Sequence, residues 1–172
     1  MNKLTLHTPE DALTTDRTAV TSLTRSAGLK VEEEYTHDFD LKGYQIINTI
    51  SNDKLEELGE AIKATMAPAE DNDIAQALLK MRALMSHKND GGDLDIILEA
   101  FVEKLKEYPK DAVMESLTKI PDQYKWFPSW IEIKNDVEFR CQHRMLMLQA
   151  IERTQYEQAN RAIIREVKQQ SA

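Results

Sequence analysis

From Ser129 to Ala172 the chain contains neither proline nor glycine. The start of this stretch is marked. Ser129 and Glu132 stand in the S-x-x-E relation of a capping box, and Pro128 is placed to pack on Ile133 as a staple. Trp130, Ile133, Val137, Cys141, Met145 and Leu148 then recur at helical spacing, continued less regularly by Ile151, Tyr156, Ala159, Ile163 and Val167. The pattern predicts one helix of about 40 residues, longer than a globular body usually covers, so its distal half is expected to leave that body. Such a half either pairs with another chain or stays solvated.

The preceding elements are shorter and clearly punctuated. Ser51 or Asn52 can cap a helix with Leu55, Leu58, Ile62 and Met66 on one face and Pro68 as its stop. A second carries Ile74, Leu78, Met81 and Met85 until Asn89, Asp90, Gly91 and Gly92 break it. A third runs from Leu94 through Phe101 and Leu105 to Tyr108 and Pro109, and a short fourth places Val113, Leu117 and Ile120 inward before Pro121. Residues 1–43 are threonine-rich and then acidic; Leu13, Val20 and Leu23 suit one face of a short helix ended by Gly28, but the periodicity is weak and the segment reads as a partly disordered arm. Residues 44–50 can be extended, yet no stretch alternates long enough to specify a sheet. The expectation is an all-α fold: a small helical bundle over residues 44–150, with Leu58, Ile74, Leu78, Phe101, Leu105, Leu117, Trp130 and Val137 inward, and a C-terminal helical extension over 151–172.

At 172 residues the chain is long enough for one domain with a sizeable core. No apolar run approaches the ~18 residues of a membrane span, and the Met1, Asn2, Lys3 start lacks the apolar core of a signal peptide, so a cytoplasmic protein is expected. Net charge is -8, unevenly divided: -11 before Arg140 and +3 from Arg140 onward. An acidic body repels phosphate, so weak or absent binding to nucleic acid is expected; the mildly basic tail can touch DNA or an acidic protein surface, or remain a solvated helix.

The usual chemistries find no support. Gly28, Gly43, Gly59, Gly91 and Gly92 fit neither phosphate-cradling pattern. With Gly91 at the sixth position of a calcium loop, the first, third and twelfth are Ser86, Lys88 and Ile97, which leaves the ion without oxygen ligands. His7, His37, His87 and His143 are scattered, no metal or other cofactor is expected, and Cys141, as the single cysteine, forms no internal disulfide and reads as a buried thiol on the apolar stripe. Cys141 and His143, two apart on a helix, point to different faces and make no nucleophile and base pair. No carboxylate pair sits among apolar residues, so no catalytic residues are assigned and a non-enzymatic protein is expected.

Aromatic residues concentrate at Tyr124, Trp126, Phe127 and Trp130, the entry of the long helix. Trp126, Phe127 and Trp130 read as a structural cluster that fixes the angle of that helix, with partner binding as the alternative. A helix over 97–108 ending in Tyr108 and Pro109, a short helix over 111–120, and the turn Lys125, Trp126, Phe127, Pro128, Ser129 opening a further helix at Trp130, Ile131 and Glu132 together resemble the small folded domain of phage replicative-helicase loader/inhibitor proteins. The arrangement is also similar to lambdoid replication initiators that deliver the host helicase. The likeness covers residues 94–140. It implies a compact helical domain and a flexible C-terminal portion that engages a hexameric replicative helicase without hydrolysing ATP.

The leading expectation is therefore a phage-type DNA replication accessory protein that loads or restrains a helicase. A small acidic helical interaction protein, whether a phage host-takeover factor, a DNA mimic or a structural component, is the alternative, and an enzyme using dispersed carboxylates the third. The candidate partner-binding residues are Tyr156, Ile163 and Val167 as apolar anchors with Arg153, Arg161 and Arg165 as flanking charges, facing a protein partner or a second copy of the chain.

Overall fold

The computed structural model describes residues 9–86 and 94–170. Its elements are α1 (Pro9–Ser26), β1 (Val31–Tyr35), β2 (Leu41–Ile46), α2 (Asn52–Ala64), α3 (Asp71–Leu84), α4 (Leu94–Leu105), α5 (Lys110–Gln123) and α6 (Trp130–Gln170). Six helices hold most of the described residues, so the fold is mostly helical. The turn expected at 89–92, together with His7 and His87, lies outside the described residues. No helix among the described residues is long and apolar enough to cross a membrane.

The all-α expectation needs one correction. β1 and β2 form an antiparallel hairpin in which Val31 faces Ile46, Glu33 faces Tyr44 and Tyr35 faces Leu41, with a register shift between Glu34 and Tyr35. The alternation is masked because one half-buried position of β1 is Glu33, whose carboxylate is satisfied by Arg17 Nη2 at 2.8 Å and by the Tyr35 hydroxyl. The hairpin turn places Phe39 at φ 64°, in the left-handed region that bulky side chains disfavour; Thr36 holds it by accepting the Phe39 amide at 3.1 Å and the Asp40 amide through its own hydroxyl oxygen. The stretch that reads in sequence as a flexible arm thus carries α1 and this hairpin from Pro9 onward. α1 ends in a Schellman motif: Gly28 adopts φ 72°, its amide donates to Arg25 and the Leu29 amide to Thr24, and Leu29 is buried.

The chain folds as two compact units, one formed by the described residues of Met1–Lys63 and Gln142–Ala172, the other by those of Ala64–Cys141. In the first, Val20, Leu29, Tyr44, Leu55, Leu58 and Met147 are buried. In the second, Ile74, Leu78, Leu105, Val113, Leu117 and Val137 are buried, and Phe101 is 8% exposed. Phe127 stacks on Phe101 at 6.3 Å and Trp130 meets the same ring at 5.7 Å, with Lys104 Nζ over the indole at 5.0 Å. Trp130 is half-buried. Trp126 lies apart from this group, 44% exposed under Lys125. The segment around it is tied down by backbone: the Ser86 amide donates to Lys125 O and the Phe127 amide to Ser86 O.

Two helix boundaries bear on the sequence expectations. α5 continues to Gln123 past Pro121, because a proline in the last turn removes only its own N–H while the Tyr124 amide still reaches Ile120 O at 3.0 Å. At the start of α6 the Glu132 carboxylate accepts both the amide and the hydroxyl of Ser129, at 2.8 and 2.7 Å, the return half of a capping box.

Candidate functional site

The partner-binding residues expected from sequence all lie on the distal part of α6, within the first unit. Met147, Ala150 and Ile151 are buried, so this helix is packed up to that point. Beyond it, polar contacts take over. Arg153 Nη2 donates to Tyr44 O at 2.6 Å and Nη1 lies 3.4 Å from Glu34, while Gln158 Nε2 donates to Ile50 O at 3.1 Å. Arg153 is therefore a strut between α6 and the hairpin rather than a free flanking charge.

From Arg161 to Val167 every residue is exposed. At about 100° per residue, Tyr156, Ile163 and Val167 fall within about 40° of one another, with Ile164 at the edge of the same face. Their exposures of 71%, 57%, 57% and 54% show an apolar stripe that the described residues of its own unit leave exposed. Arg161 and Arg165 point away from that stripe by more than about 100°. They line a cleft of about 610 Å³ with Gln45, Asn48, Thr49 and Gln158. Arg161 pairs with Glu157 at 3.4 Å, whereas Arg165 has no acidic partner among the described residues. Helix geometry thus turns Arg161 and Arg165 away from the apolar stripe of Tyr156, Ile163 and Val167, whereas Arg153 lies about 40° from Val167 at the edge of that stripe and is engaged by Tyr44 O and Glu34.

The helix is anchored by a buried polar cluster that the sequence reading did not single out. Arg144 Nε donates to Asp16 Oδ1 at 2.5 Å, and the other Asp16 oxygen accepts the α6 backbone amides of His143 at 2.7 Å and Arg144 at 3.4 Å. Asp16 reaches into the amide ladder of a helix more than a hundred residues away. Burial pushes its carboxyl above the usual value, against the pull of Arg144 and the two amides. Next to it His143 Nδ1 meets the Tyr44 hydroxyl at 2.5 Å, while His143 Nε2 is buried with no hydrogen-bond partner among the described residues. Burial pushes the imidazole pKa down and the Tyr44 phenol up. The imidazole is accordingly neutral near pH 7, and the cluster acts as a structural clamp joining α1, β2 and α6. Its one signal in the sequence is Arg144, which falls on the helix face of Ile133, Val137, Cys141 and Leu148.

These burials redraw the charge map. Arg140 is paired with Glu115 at 2.9 Å and Asp136 at 2.8 Å with its side chain 2% exposed, and Arg144 is consumed by Asp16. With both taken up, the +3 counted from Arg140 onward presents only +1 to solvent. Cys141 is buried and its thiol donates to Val137 O at 3.3 Å. Among the described residues no group of three or more His, Cys, Asp or Glu side chains is placed to hold a metal ion. No protein-family model, no curated protein and no solved structure matches the chain.

Proposed function

We propose that this chain is a non-enzymatic adaptor of phage-type DNA replication that binds a hexameric replicative helicase and loads or restrains it in the cytoplasm. The observation that carries the adaptor reading is the exposed stripe of Tyr156, Ile163 and Val167 on a helix fastened to its own unit by Arg153 and Gln158. Aromatic and aliphatic residues held in register on a pre-formed helix are what a helix-in-groove contact requires. The choice of a helicase rests on the sequence resemblance over residues 94–140. A near-neutral distal helix on an acidic chain supports a protein partner over direct DNA binding.

A second reading, an acidic helical interaction protein such as a DNA mimic, draws on Asp95, Glu99 and Glu103, which present one carboxylate per turn along α4. Titration of labelled protein with the purified helicase hexamer decides between them. The adaptor reading expects saturable binding that is lost in a variant combining Tyr156→Ala, Ile163→Asp and Val167→Asp. Binding unaffected by that variant, or absent from the native chain, contradicts it.

A further inference from the structure

In the second unit, α3 and α4 border a groove of about 680 Å³ whose floor is formed by Ala75, Leu79, Leu98 and Val102. Leu79 is 54% exposed there, although Ile74, Leu78 and Met81 on the same helix are buried. Ala75, one turn before it, has a side chain too small to fill the space beside Leu79. The rim is acidic, with Asp71 on α3 and Glu99 and Glu103 on α4. Among the described residues no lysine or arginine lines the groove; Lys106 bonds Asp71 at 3.2 Å and Glu103 at 3.4 Å, whereas Glu99 has no ion-pair partner.

Backbone and charge together select what this groove can hold. Both walls are helices whose amides beyond the first turn are bonded internally, so an extended segment finds no main-chain partners along them, whereas a helix arrives with its own amides satisfied. From Asp71 to Leu79 the α3 wall runs about 12 Å, the length of two helical turns. The carboxylates of Glu99 and Glu103 repel phosphate and acidic side chains and attract lysine or arginine. The exposed stripe of this chain's own α6 lacks such a flank, since Arg153 is engaged by Tyr44 O and Glu34 and Arg161 by Glu157. We propose that the α3–α4 groove docks a basic amphipathic helix of another protein, with aliphatic side chains at i, i+4 and i+7 on Leu79, Leu98 and Val102 and lysines or arginines along the flank that faces Glu99 and Glu103. The groove shares no residue with the α6 stripe, so the two docking surfaces are tested separately.

Fluorescence anisotropy of the full chain with a labelled synthetic peptide tests this. The probe is an alanine-based helix of about 15 residues with leucine at i, i+4 and i+7 and lysines along one flank. Saturable one-to-one binding with a Kd of about 10–100 µM is expected, since two turns bury little area and the peptide orders as it binds. A matched peptide with glutamate in place of lysine is expected to bind at least about tenfold more weakly. Leu79→Gln and, separately, Glu99→Lys with Glu103→Lys are each expected to weaken binding of the basic peptide about tenfold or more. Both alter exposed positions, and an unchanged urea midpoint shows that the fold is kept. Ile163→Asp with Val167→Asp, which alters the α6 stripe alone, is expected to bind the peptide as the native chain does. No saturable binding, equal binding of the two peptides, or binding that survives both groove variants overturns the proposal. So does self-association of the native chain that Leu79→Gln abolishes, which makes the occupant a second copy. Helicase binding is read separately: the groove variants keep the stripe, so a native chain that ignores the peptide but binds the helicase overturns this proposal and leaves the adaptor reading standing.

Discussion

Asp16 and Arg144 form an ion pair at 2.5 Å with side chains 1% and 5% exposed, fastening α1 to the middle of α6. The second carboxylate oxygen also takes two helix amides, so the charge on each partner is compensated within the protein. Removing one partner leaves the other buried and uncompensated. Asp16→Ala is expected to destabilise the protein by about 3–5 kcal/mol in urea unfolding, whereas Asp16→Leu combined with Arg144→Met should recover most of that loss. A single variant that unfolds at the native midpoint would place the pair in water.

His143 gives stability a pH dependence. Its folded-state pKa lies below the ordinary 6.5 because burial disfavours the charged ring, even though Asp16 and Glu33 pull the other way and Arg17 adds to the lowering. The unfolded chain therefore binds more protons than the folded one between the lowered value and 6.5. The contribution of His143 is complete above 6.5 and is lost as pH falls through and below that value. Thermal unfolding measured from pH 8 to 5 should show the midpoint dropping on the acid side, and His143→Asn, which does not titrate, should flatten that drop. An equally steep drop in the variant assigns it to other groups.

Phe101 holds Phe127 and Trp130 at the entry of α6. Phe101→Ala is expected to cost about 3–5 kcal/mol and to shift the tryptophan fluorescence through Trp130. A change under about 1 kcal/mol in the urea midpoint would show that the ring contributes little packing.

How far these features can be read without coordinates differs by element. The helices over 52–64, 71–84 and 94–105 announce themselves through Leu55, Leu58 and Ile62, through Ile74, Leu78 and Met81, and through Leu98, Phe101 and Leu105, since each series repeats at helical spacing between breakers. The hairpin does not, because Glu33 occupies a half-buried strand position that only Arg17 and Tyr35, brought in by the fold, make tolerable. The clamp of Asp16, Tyr44, His143 and Arg144 was equally hidden: its members are up to 128 residues apart and none belongs to a local motif. For the distal helix, spacing identified Tyr156, Ile163 and Val167 as one stripe. It could not show that Arg153 would be spent on Tyr44 O, or that Arg165 would turn to the cleft beside Asn48.

On the proposed reading the exposed end of α6 docks a partner and adds little to the stability of its own unit. Deleting residues 159–172 keeps Arg153 and Gln158, whose side chains bond the 44–50 segment. The expected result is a truncated chain whose urea unfolding free energy lies within about 0.5 kcal/mol of the native value, since residues 161–167 are all exposed. The same reading predicts that this well-folded chain no longer binds the helicase hexamer in a direct titration. Full affinity in the truncated chain would place the helicase contact elsewhere on the protein.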